Sequence, residues 1–592
     1  MRIGFWILCS IAVVLAGCAG RSDLEDPRAD AGADAGEGGQ DAGPPPLTKS
    51  DKVDILLVVD NSKNLDVAHA LFAETVPYLL ERLTRPACVN GLGNVVATTP
   101  GPDDPCPLGQ RDFRPVTDLH LAVISTSLGG HGADVCSPGS PSFDPEMNDA
   151  ARLLQRNEAG GVVPTYAGRG FLWWDPGQAQ APPGESDLGA LSAKLVEVVR
   201  GVGRDGCGFE SQLESIYRFL VDPDPYASIV LQDGAAVPTG TDQVVLQQRA
   251  DFLRPDSAVV VALLTDENDC STREGGQFFF SNQRSNPDGT TYHLPRARSE
   301  CAVDPGDPCC ASCAQSPAPG CPPSSADSAC LLPPLSDAED PINLRCFDQK
   351  RRFGIDFLYP VDRYVRAFSE PTVADRAGAL APNPLFTGGR SPELVLLAGI
   401  VGVPWQDIAF DPHSLSSGYL SAREIDWGLL VGDPLTGAPP GDALMIESVA
   451  PREGTSPAVG AALAPPSAPL PTANPINGHE RLIAAGDDLQ YACIFPRPSP
   501  KDCAVETDDC HCTAIDIDTN PICQQADGAY GPVERWARAL PSTRELRVLQ
   551  GLGDQSVVAS ICAPIVAGPA QPTFAYKPAV DAILRSLRSR LE

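Results

Sequence analysis

Five short runs of almost unbroken apolar residues punctuate this chain: VDILLVV at 53–59, LHLAVIST at 119–126, SAVVVALL at 257–264, ELVLLAGI at 393–400 and QSVVASIC at 555–562. Such runs predict strands buried on both faces, the pattern of a parallel sheet. Helical patterns lie between and after them. Ala68, Phe72, Val76, Leu79 and Leu83 recur at steps of three and four, with Pro77 expected to kink that helix. Phe209, Leu213, Ile216, Tyr217 and Leu220 mark a second helix, and Val580, Ile583, Leu584, Leu587 and Leu591 a last one. Apolar strands separated by amphipathic helices predict the α/β class, with an open, mostly parallel, doubly wound sheet. One such sheet is expected over residues 51–592, rather than two or three separate domains, because a strand and helix of the same type close the chain.

The strands are far apart, and what separates them is of a different character. The chain has 54 Gly, 60 Pro and 20 Cys. Residues 88–117, 137–200, 270–345 and 405–550 hold most of them and read as disulfide-rich loop insertions. Cys9 and Cys18 fall in the N-terminal segment. The other 18 are enough for nine disulfides, which suits an oxidising compartment. Cys309-Cys310-x-x-Cys313 and Cys510-His511-Cys512 lack the paired spacing of a zinc site.

The first 20 residues, MRIGFWILCSIAVVLAGCAG, carry one cation and then an apolar run too short for a well-anchored span. Leu15-Ala16-Gly17-Cys18 resembles the lipobox of bacterial lipoproteins. That resemblance implies a signal peptide at 1–17, diacylglycerol on the Cys18 thiol, and a chain anchored to a membrane rather than spanning it. Ala19 after the modified cysteine points to the outer membrane, on its periplasmic or its cell-surface face. Residues 18–50, rich in Asp, Ala, Gly and Pro, are expected to be a disordered tether, with a root-mean-square reach of ~30 Å. The net charge of −32 repels phosphate and argues against nucleic acid as a partner.

Two of the apolar runs end in acids, Asp60 in VDILLVVD and Asp266 in VVVALLTD. Ligands of open α/β sheets bind beyond the carboxyl ends of strands. Carboxylates and hydroxyls meeting there suit Mg²⁺ or Ca²⁺, which favour oxygen ligands.

DILLVVDNSKN resembles the Asp-x-Ser-x-Ser motif of the von Willebrand factor type A domain, and LLTDEND resembles its later metal-facing strand. LAVISTSLGGHG, CGFESQLES, YACIFP and VVASICA extend the likeness to the large, cysteine-rich type A lipoproteins of myxobacteria and related bacteria. The resemblance implies a metal-ion-dependent adhesion site and no intrinsic catalysis. It also implies a protein or peptide partner whose acidic side chain completes the cation's coordination. Asp60 and Ser62 match the first two motif positions and Asp266 the later acid. Asn64 stands where the second Ser is expected. The motif Thr is missing, with Glu210 or Thr126 as its replacement. Lys63 inside the motif would compete with the cation unless its ammonium points away.

Other signals are weaker. Asp516-x-Asp518-x-Asn520, with Asp527 at the twelfth position, opens like a calcium loop but has Pro521 where Gly is needed. His479-Glu480 lacks the second His of a zincin, and no nucleophile elbow or Walker loop is present. The Trp173-Trp174 pair reads as a core anchor or, if exposed, as a ligand platform. The expected function is therefore an outer-membrane-anchored binding protein. The alternatives are a structural envelope lipoprotein with a degenerate metal site and a secreted hydrolase.

Overall fold

The five apolar runs meet in one sheet, and a sixth strand joins them. The computed structural model describes residues 48–592 apart from 92–94, 100, 141–142, 435, 467, 469–473, 507–509, 514–516, 526 and 592. The expected signal peptide, Cys18 and the tether up to residue 47 lie outside the described residues. The strands are β1 (Lys52–Val59), β2 (Asp118–Ser125), β3 (Leu172–Trp174), β4 (Ala258–Leu264), β5 (Val395–Val401) and β6 (Ser556–Ser560). Their order is β6-β5-β4-β1-β2-β3. All neighbours are parallel except β3, which runs antiparallel to β2 at the edge.

Every residue of β4 and β5 is buried, as unbroken apolar runs require when both faces of a sheet are covered. The covering helices are α1 (Asp66–Thr84), α2 (Leu188–Arg200), α3 (Gln212–Leu220), α4 (Gln243–Phe252), α5 (Val361–Ala367), α6 (Thr543–Leu552) and α7 (Lys577–Leu587). They form two contacting groups, α1 with α2 and α7, and α3 with α4, α5 and α6. Helix α1 runs through Pro77 without interruption, and its apolar positions Ala68, Phe72, Val76, Leu79 and Leu83 are all buried. Burial of that face carries the helix past the hydrogen bond a proline cannot donate. The chain closes on itself where the Ser50 amide donates to the Arg590 carbonyl at 3.0 Å.

Two of the expected insertions need correcting. Residues 137–200 supply β3 and α2, and the 405–550 segment ends inside α6, which covers the sheet beside β5 and β6. Trp174 is buried, and the Trp173 indole donates to Asp118 at 2.7 Å. The tryptophan pair is thus an edge-strand anchor. Among the described residues no helix is long and apolar enough to cross a membrane.

The 18 cysteines form nine disulfides: 88–106, 136–207, 270–346, 301–310, 309–321, 313–330, 493–562, 503–510 and 512–523. Most staple an insertion to itself. Cys493–Cys562 ties the hairpin of Cys493–Asp502 and Val533–Ala539 to the end of β6.

Candidate metal centre

Strand register decides which side chains meet at the carboxyl edge of the sheet. Val59 is level with Ser125 on one side and with Leu264 on the other. The next residues along each strand, Asp60, Thr126 and Thr265-Asp266, therefore emerge side by side. The strand order reverses between β1 and β4, the place where open α/β sheets leave a crevice for a ligand.

Asp60 is wholly buried. Its Oδ1 accepts the Ser62 amide at 2.9 Å and its Oδ2 accepts the Thr265 hydroxyl at 2.6 Å. The His69 ring lies 2.6 Å from the Asp60 carbonyl through Nε2; burial lowers the His69 pKa to about 4, so the ring is neutral and this nitrogen donates. Asp266 gives Oδ2 to Arg538 at 3.1 Å, and Arg538 also reaches Glu267 at 3.0 Å. Glu210 comes from the loop before α3, where the Ser211 amide donates to the Thr126 carbonyl and the Cys270 amide to the Glu210 carbonyl, both at 3.0 Å. Helix α3 is not capped by its own Ser211. Asp269 accepts the Leu213 amide and Ser271 the Glu214 amide, both at 3.0 Å, which fixes the loop after β4 against the start of α3.

Several buried oxygens at this edge have no hydrogen-bond partner: Ser62 Oγ, Thr126 Oγ1, Glu210 Oε1 and Asp266 Oδ1. Asn61 Oδ1 and Gln212 Oε1 beside them are also unpartnered. Unpaired buried oxygens are costly, and here they belong to groups that all ligate hard cations. The charges give the same reading. Burial pushes Asp60 up to about 6 against the Thr265 hydrogen bond, with Glu267 adding to the rise. Burial and the charges of Asp60, Glu267 and Asp266 raise Glu210 well above the usual range. Burial raises Asp266 too, although Arg538 pulls it back. Asp60, Ser62, Asp266, Glu210 and Thr126 offer at this edge oxygen donors of the kind that Mg²⁺ or Ca²⁺ takes. The three carboxylates do not close to within 4.8 Å of one another as a set.

Asn64 lies in the 3-10 turn Lys63–Leu65 that leads into α1, and is half-buried. The Lys63 ammonium pairs with Asp205 at 3.6 Å. Sequence reasoning missed Thr265 and Arg538. Thr265 was visible as the hydroxyl beside Asp266. Arg538 had no signal, because it arrives on the hairpin of a distant insertion. Among the described residues one group of three ligand atoms of the His, Cys, Asp and Glu type lies within 4.8 Å, from Cys503, Cys510 and Glu534. Its two sulfurs are joined in a disulfide and offer no thiolate. The same holds for both cysteine clusters considered for zinc.

His479 is buried and bonded to the Glu480 carbonyl at 2.7 Å and the Tyr530 hydroxyl at 3.0 Å, while Glu480 pairs with Arg452. Both are spent on packing the insertion. In the calcium-like loop, Asn520 caps the turn Pro521–Cys523, Asp527 accepts the Ala529 amide, and Asp516 lies outside the described residues. No protein-family model, no curated protein and no solved structure matches this chain.

Proposed function

We propose that the chain is a non-catalytic binding protein of the von Willebrand factor type A class, anchored in the outer membrane through lipid on Cys18. It carries a divalent cation, Mg²⁺ or Ca²⁺, at the junction of β1 and β4, and its partner is a protein or peptide with an acidic side chain. The observation that supports this most is the set of unpartnered buried oxygens of Ser62, Thr126, Glu210 and Asp266 at one sheet edge. The strand order and the Asp60-Asn61-Ser62 sequence at the end of β1 agree with it.

Calorimetric titration of metal-stripped protein tests the cation. One saturable site per chain is expected for Mg²⁺ or Ca²⁺, and none in Asp60→Ala; no binding heat with either ion contradicts the reading. For the anchor, Cys18→Ala removes the acceptor thiol, so membrane partitioning should be lost; unchanged partitioning rules the lipid out. A second reading, a structural envelope lipoprotein with a degenerate site, draws on the Arg538–Asp266 ion pair, which already places a positive charge beside one of the acids.

A further inference from the structure

The proposed ligands are enclosed by the chain itself. Asp60, Ser62, Thr126, Glu210 and Asp266 are each no more than 6% exposed. Two segments lie across them. One is the loop at 204–211, where the Gly206 amide donates to the Asn61 carbonyl at 3.0 Å and the Cys207 amide to the Ser127 hydroxyl at 3.0 Å. A Cβ at Gly206 would sit 2.2 Å from Asn61 Oδ1, so any other residue there must displace the Asn61 amide. The other is the hairpin end, where the Leu540 amide donates to the Asp266 carbonyl at 2.8 Å. Glu210 is the one proposed ligand that comes from this cover rather than from the end of a strand. Its backbone is held between two disulfides, Cys136–Cys207 three residues upstream and Cys270–Cys346, whose Cys270 amide it accepts. Behind it lies a small cavity of about 60 Å³, lined by Glu210, Glu267, Asn268, Asp269 and Glu447 together with apolar side chains.

We infer that the loop at 204–211 is a disulfide-fastened lid over the cation and that Glu210 is its carboxylate latch. The chain's own acid then faces the ion from the side on which a partner's acid would approach. This rests on the cation reading above. In the oxidised protein the ion is sealed in, entering and leaving slowly by way of the acidic cavity. A partner acid reaches it only after the lid opens.

Two properties separate a lid from an ordinary ligand. Losing the latch weakens binding, whereas loosening the fastening speeds exchange without removing any ligand. The experiment uses Mn²⁺ as probe, with free ion read by its electron paramagnetic resonance signal and release started with excess chelator. Expected for Glu210→Gln is a dissociation constant at least tenfold weaker than wild type. Expected for the double variant Cys136→Ser with Cys207→Ser, which leaves the other eight disulfides, is a constant within about threefold of wild type and release at least tenfold faster. The isosteric Glu210→Gln keeps the inference open to refutation if the cysteine variant fails to fold. Wild-type affinity in Glu210→Gln overturns the latch. Equal release from wild type and the cysteine variant overturns the lid while leaving the cation reading intact. Absence of Mn²⁺ binding to wild type overturns both.

Discussion

Strand β1 carries two wholly buried aspartates, Asp54 near its start and Asp60 just past its end, and the protein treats them in opposite ways. Asp54 is fully answered. Arg254 donates to it from its backbone amide at 2.9 Å and from Nε at 2.8 Å, and the Ser257 hydroxyl supplies another bond. Burial raises the Asp54 pKa and Arg254 offsets part of the rise. Asp60 has a hydroxyl and one amide, and around it lie further acids and oxygens without donors. Acidity and burial are common to both ends of the strand. The difference is whether the chain supplies its own cation, and at the carboxyl edge Arg538 answers only Asp266 and Glu267.

The largest way to break this comparison is Asp54→Ala. It leaves Arg254 without its main buried acceptor and should cost ~3–5 kcal/mol, the usual loss when one partner of a buried pair is removed. Chemical denaturation should show that loss equally with Mg²⁺ and with chelator. A cost below about 1 kcal/mol would mean that the amino edge is not held by this pair.

Next in size is the cation's own contribution. Free ion at 100 times its dissociation constant should stabilise the fold by ~2.7 kcal/mol. Asp266→Ala should remove that gain, whereas Asp54→Ala should keep it. Equal gains in Asp266→Ala and wild type would place the ion elsewhere.

The gain should also depend on pH. The Asp60 pKa of about 6 in the folded chain exceeds its ordinary value of 3.8. The folded state therefore keeps a proton that the unfolded state gives up, and ion-free stability falls as pH rises from about 4 to about 6. A cation displaces that proton, so the stabilisation by Mg²⁺ should grow over the same range. A melting series from pH 4.5 to 7.5 checks this, and a gain that shrinks with rising pH would contradict it.

The smallest expected effect is that of Asn64→Ser. A compact hydroxyl in place of the longer amide should tighten the ion by up to tenfold, about 1.4 kcal/mol, measured by calorimetric titration. Weaker binding would show that the Asn64 amide already serves.

How far the sequence reaches follows from the same physics. The central strands could be read because burial on both faces leaves few polar residues, such as Asp54 and His120, to interrupt them. Residues 395–401 lie within one or two positions of the run expected there. Strand β3 escaped because three residues, Leu172–Trp174, carry no periodicity within a Pro- and Gly-rich stretch. Asp60, Ser62 and Asp266 were legible because strand ends point at a sheet edge. Arg538 was not, because its place depends on how a distant hairpin folds back. Disulfide pairing was equally hidden: the adjacent Cys309 and Cys310 go to Cys321 and Cys301, which spacing does not determine.

The central claim is that the carboxyl edge of β1 needs a cation the chain does not itself supply. The direct test is the melting temperature of wild type and Asp60→Ala, each in Mg²⁺, in Ca²⁺ and in chelator. The account predicts that wild type melts higher with at least one of the two ions than with chelator, and that Asp60→Ala melts at one temperature in all three. Wild type melting identically in all three would contradict it.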